Sequence, residues 1–169
     1  MSEPDGYLRR LHEHGYHASD AQAFAAAWDR LEARYLERLD EACDGGEWRG
    51  RVRGAAGETL RLVEAAPDEA QFLVVDSLLA GEAGWRRQRE LRSRLALRVD
   101  SAREELEEPD RVSPATAPWI VSTFFDRIYR YLTGRSQARL RTQLPELMFL
   151  ATSAYFGTEE GLGELLKGR

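Results

Sequence analysis

Six residues in this chain have types and spacing that could do chemistry beyond packing: His12, His14 and His17, Cys43, and the carboxylates Asp76 and Asp126. The three histidines share one hexapeptide, and side chains three or four apart on a helix can share a metal. Gly15 interrupts that segment and no cysteine is near, so a solvated polar turn is the reading and no metal site is expected. Cys43 is the one cysteine, which excludes an internal disulfide or a multi-cysteine zinc site. As a nucleophile it would need a base, and every histidine lies at least 26 residues upstream. No Gly-x-Ser-x-Gly elbow, phosphate-binding glycine loop or dinucleotide fingerprint occurs. Neither an enzyme nor a cofactor is expected.

Asp76 and Asp126 each interrupt a strongly apolar stretch. Burying such a group is costly unless it is paired or hydrogen-bonded. Two readings stay open. One is a structural ion pair, with Arg127, Arg130 or an arginine of the helix expected over Ala83 to Glu107. The other is a polar group inside a mostly apolar ligand cavity. Catalysis would require the two carboxylates to face each other or a metal. Arg86, Arg87, Arg89, Arg92, Arg94 and Arg98 crowd one segment, but Glu82 and Glu90 lie among them. A solvated, ion-paired face is expected there rather than an anion site.

The elements that must position these groups are helices. Alanine and leucine supply 44 of 169 residues, while valine, isoleucine and threonine together supply 16. That balance favours helix over strand. Phe24, Trp28, Leu31, Tyr35 and Leu39 form one amphipathic stripe, on a helix that Ser19 and Asp20 would cap and Asp44-Gly45-Gly46 would end near Cys43. A second helix is expected over Trp48 to Ala65, stopped by Pro67. A third, from Asp68 to Ala80, carries the apolar run Phe72 to Ala80, read as helix rather than strand. A fourth covers Ala83 to Glu107, closed by Pro109. Ser113-Pro114 starts a fifth that Gly134 ends. The sixth, Leu147 to Phe156, contains no charged residue. The expected organisation is a polar segment 1–18, a helical domain 19–157 and a weakly ordered tail 158–169.

The last two of these six helices are more apolar than one buried face requires. They call for a central position or for a second chain, and a two-fold four-helix interface satisfies the second option. Phe125, Tyr129, Leu147, Leu150, Ala151 and Ala154 are the interface residues expected on that reading. No apolar run reaches the roughly 20 residues that cross a bilayer, and Met1-Ser2-Glu3-Pro4-Asp5 does not begin a signal peptide. A soluble cytoplasmic protein is expected. The net charge of −5 argues against nucleic acid as the partner.

The order of Phe24-Ala25-Ala26-Ala27-Trp28-Asp29, Trp48-x-x-x-Val52, Pro67-Asp68-Glu69-Ala70-x-Phe72 through Gly81, and Leu144-Pro145-Glu146-Leu147-Met148-Phe149-Leu150 through Gly157 resembles the regulatory domain of TetR/AcrR-type transcription factors. The resemblance covers about residues 20–157. It implies an all-helical domain that dimerises through its last two long helices and holds a small, often hydrophobic effector. Trp28, Tyr35, Phe72, Asp76, Trp85 and Phe124 are the residues expected near such a cavity. Members of that family begin with a helix-turn-helix domain of about fifty residues, and about eighteen residues precede the resembling part here. The resemblance therefore implies a homodimer, or a mixed dimer with a full-length relative, acting through a partner rather than by reading DNA directly. A filled helical interaction module without a pocket is the alternative.

Overall fold

A computed structural model describes residues 21–43, 46–136 and 139–167, and these form an all-α structure. The histidine cluster, segment 1–18 and the Ser19-Asp20 cap lie outside the described residues. Seven α-helices follow in order: α1 (Ala21–Ala42), α2 (Trp48–Ala65), α3 (Pro67–Val74), α4 (Glu82–Asp100), α5 (Thr116–Leu132), α6 (Leu144–Phe156) and α7 (Thr158–Leu166). Short 3-10 segments at Asp76–Ala80, Ser101–Glu105, Pro109–Arg111 and Leu140–Gln143 join them. Among the described residues no helix is long and apolar enough to cross a membrane.

The α1 stripe folds as its spacing dictates. Phe24, Trp28, Leu31 and Leu39 are buried, and Phe24, Trp28 and Phe72 form an aromatic triad with centroids 5.6 to 6.3 Å apart. The indole N–H of Trp28 donates to Glu32, 3.0 Å away. A second core centres on Trp48, whose ring packs against Tyr155 and Phe156. Its indole N–H donates to the Val99 carbonyl at 2.8 Å, and its backbone N–H is capped by the Glu105 carboxylate at 2.7 Å. Arg103 organises the connection to α5: it grips Asp100 and donates to the carbonyls of Pro109, Val112 and Ser113.

Three expectations change. The third helix does not run unbroken to Ala80: it ends at Val74 and continues as a 3-10 turn. Carbonyls of Leu73 and Val74 lose their helical partners at that break, and the Gln88 side-chain amide from α4 donates to both and to Ser77 Oγ, at 2.8 to 3.0 Å. α4 can approach so closely because position 84 is glycine; a Cβ there would collide with the Ser77 carbonyl. The fourth helix stops at Asp100, short of Glu107. Finally, the segment after Gly157 is not a weakly ordered tail. It forms α7, which folds back on α6 with Gly161 set against Ser153 and the Phe149 carbonyl. Glu164 of α7 is 1% exposed and is held by Arg53 of α2 and by Lys167.

The arginines of α4 pair chiefly with α1. Arg87 meets Asp29, Arg94 meets Glu32 at 3.3 Å, and Arg98 meets Asp40 at 2.7 Å. Arg92 instead packs against α5, its guanidinium 4.8 Å from the centre of the Phe125 ring.

Candidate functional site

Between α1, α2, α4, α5 and α6 lies a cavity of about 440 Å³, within the size range of small-molecule sites. Helix α2 makes the space. It presents Val52, Ala55, Ala56 and Thr59, a row of small side chains, where larger ones would fill the gap. Tyr35 and Leu39 of α1 face this row, while Phe124 and Phe125 of α5 and Leu147, Met148, Leu150 and Ala151 of α6 close the other side. Polar groups gather at one end: Asp40 and Cys43 at the end of α1, Arg51 at the start of α2, and Arg98 near the end of α4. Trp119, half-exposed at the start of α5, lies on the rim.

The polar groups are mostly engaged. Arg98 is ion-paired with Asp40, and Arg51 donates to the Gly46 carbonyl and lies 3.8 Å from Glu105. The Cys43 thiol donates to the Arg51 carbonyl at 3.5 Å, and burial is the main cause that pushes its pKa up. A thiol so held is neutral and a poor nucleophile. Deeper in, the Tyr35 hydroxyl and Thr59 Oγ1 share a hydrogen bond of 2.9 Å. Burial pushes the Tyr35 phenol up to about 12, only partly offset by Thr59 and the positive Arg98. The arrangement offers an apolar chamber with few fixed polar contacts, suited to binding rather than to bond-making.

Two of the six expected pocket residues, Tyr35 and Phe124, line this cavity. The other four do not. Trp28 and Phe72 are wholly buried, their rings packed together with Phe24 in the aromatic triad. Asp76 sits in the 3-10 turn after α3, where Gln71 donates to it at 3.1 Å. Trp85 is 60% exposed on α4. Asp126 lies on the outer face of α5 beside Arg130, 3.3 Å away, so neither carboxylate belongs to the cavity. Among the described residues no group of three or more His, Cys, Asp or Glu could hold a metal.

Three of the six expected interface residues are buried within one chain, and Tyr129, Leu150 and Ala154 are half-buried. Phe125, Leu147 and Ala151 are 4%, 6% and 2% exposed within one chain, and with Leu150 they line the cavity. Ala154 packs on the Trp48 core, and Tyr129 lies under the Arg135 guanidinium. Within one chain α6 has the cavity on one side and packs against α7 on another. Asp40, Cys43, Arg51, Thr59, Arg98 and Trp119 were not anticipated as a set. Two signals pointed to part of it: the four-residue spacing Tyr35, Leu39, Cys43, and the small-residue row of α2.

Compared with protein-family models, with curated proteins and with solved structures, the chain matches none.

Proposed function

We propose that this chain is a ligand-sensing regulatory domain, in which the α1/α2/α4/α5/α6 cavity takes a small hydrophobic effector bearing one polar end. The observation that carries the reading is the cavity itself: about 440 Å³, walled by apolar side chains, with its few charged groups clustered at one end. The resemblance of the residue pattern to TetR/AcrR regulatory domains points the same way. Occupancy would reach other molecules through α5 and α6, which contribute both cavity wall and outer surface. On this reading the signal passes to a partner, either a second copy or a larger protein with a similar domain, and the acidic net charge disfavours DNA as the direct target.

Binding is read most directly with an environment-sensitive naphthalene sulfonate dye. Its fluorescence should rise on mixing with the protein, and Ala56→Trp, which fills the cavity from α2, should abolish the rise while the helical circular dichroism persists. An unchanged signal in that variant would place the dye elsewhere and remove the support for this reading. Sedimentation at micromolar concentration addresses the partner: a dimer is expected, and a monomer would limit the partner to a different chain.

A further inference from the structure

A second cavity, of about 390 Å³, adjoins the first. It lies between α1, α2, α3 and the inner side of α5, walled by Leu31, Leu62, Val63, Leu73 and Ile128, and its charged lining residues Arg34, Arg38 and Arg61 are held by Glu69 and Glu58. Three residues line both chambers: Tyr35, Thr59 and Phe125. They form the partition between them. Its members are not equally fixed. Phe125 is buried in the core with the Arg92 guanidinium against its ring, and Thr59 is a short side chain anchored to the Ala55 carbonyl at 2.8 Å. Tyr35 spans the gap from α1 and is tied across it by the one hydrogen bond to Thr59.

Resting on the reading of the first cavity as an effector site, we propose that the effector is a straight-chain carboxylate and that Tyr35 sets its chain-length limit. The carboxylate would lie at the polar end of the first cavity, beside Arg51, whose 3.8 Å approach to Glu105 is the looser of the two pairings there, and near Arg98, which Asp40 holds at 2.7 Å. The chain would run along α2 toward Thr59, eight residues on from Arg51, or about 12 Å at the rise of a helix. A longer chain must enter the second chamber, and only displacement of the Tyr35 side chain opens the way. A bulky or planar ligand has no such continuation, so two apolar chambers joined end to end favour a flexible chain. The hydroxyl stays protonated across the physiological range, since burial holds the Tyr35 phenol near 12, and the tie to Thr59 persists there.

The test measures displacement of a bound naphthalene sulfonate dye by saturated fatty acids from about six to about eighteen carbons, with the matching alcohols in parallel. Affinity of the wild type should rise about fourfold per methylene and then stop rising at a defined length. Tyr35→Ala should move that limit to longer chains by several carbons. Thr59→Val, which keeps the volume of Thr59 but removes the tie, should lower the penalty for chains just past the limit. It also serves where Tyr35→Ala does not fold. Carboxylates should bind at least tenfold tighter than alcohols of equal length, and parity would overturn the assignment of the head group. A limit unmoved in both variants would overturn the role of Tyr35 while leaving the first cavity as a binding site. Failure of every chain and of the dye to bind the wild type would sink the effector site and this inference together.

Discussion

Gln88 is the side chain on which the irregular part of the fold depends most. Its amide serves the Leu73 and Val74 carbonyls and the Ser77 hydroxyl, all close to the α3 break. Gln88→Leu keeps similar bulk but takes the side-chain donor from the Val74 carbonyl, while Leu73 keeps the Ser77 hydroxyl at 3.1 Å; an unsatisfied buried polar group costs about 1–3 kcal/mol. A loss of that size in urea denaturation is expected, with the m-value unchanged; a loss below about 0.5 kcal/mol would show that water replaces the amide. Two tyrosines carry a distinct alkaline signature. Burial raises the Tyr35 phenol to about 12, and burial followed by the bond to Asp100 raises Tyr155 well above the ordinary value of 10.0. A raised folded pKa stabilises the native state fully below about pH 10, and that contribution disappears as pH rises through the folded values. Phenolate absorbance should therefore show these two titrating late, together with loss of helical dichroism. Glu164 behaves in the opposite sense. Burial alone would raise its pKa, but hydrogen bonds from Lys167 and Arg53 more than reverse this and leave it below 4.5. Its contribution is complete above about pH 4.5 and is lost as pH falls through the lowered value. Glu164→Gln should flatten the acid limb of the melting temperature; an unaltered limb would show that the pair contributes nothing there.

At the scale of elements, the α1, α2, α5 and α6 helices were legible because each follows a stripe or a stop signal: the Phe24–Leu39 spacing, Pro67 after Ala65, Ser113 before α5, Gly157 after α6. Ser113 does not cap α5 as its position suggested: the helix begins at Thr116, and the Ser113 hydroxyl instead accepts the Ala115 N–H at 3.2 Å in the turn before it. The break after Val74 was not legible, since its stabilising partner, Gln88, lies fourteen residues further on and on another helix. The α7 helix was missed for a different reason. Gly161 and Gly163 read as helix breakers, yet Gly161 is the residue that lets α7 lie against Ser153. Gly161→Ala should gain helix propensity and still lose about 1–3 kcal/mol by overpacking. Pairing it with Ser153→Ala, which removes the nearest obstructing atom, should recover part of the loss in thermal melts. Absence of any recovery would mean that contact with the Phe149 carbonyl dominates. Overlooking α7 also distorted the reading of α6. The face of α6 that α7 covers is a face a second chain cannot also cover.

For the whole molecule, the cavity was half legible. Tyr35 and Phe124 line it, but the largest aromatics, Trp28 and Phe72, fill their space instead of lining one. Voids arise where side chains are small, and the Val52, Ala55, Ala56, Thr59 row is the better pointer. The same scale governs the charges. Arg87, Arg94 and Arg98 join α4 to Asp29, Glu32 and Asp40 of α1 along one seam. Exposed pairs of this kind contribute roughly 0.2–1 kcal/mol each and are screened by salt. Raising the salt to about 1 M should lower the melting temperature by only a few degrees, and a much larger fall would show that the seam dominates stability. The Lys167–Glu164–Arg53 cluster has a practical consequence as well. Lys167 is the one lysine in a chain with 23 arginines, so it is the one side-chain address for amine-directed reagents, to be told from the α-amino group by its higher pKa. Acylating it would cancel one of the two cations on Glu164 and leave Arg53 as the remaining hold. A fluorophore attached there would thus report, at one known site, on whether α7 stays seated.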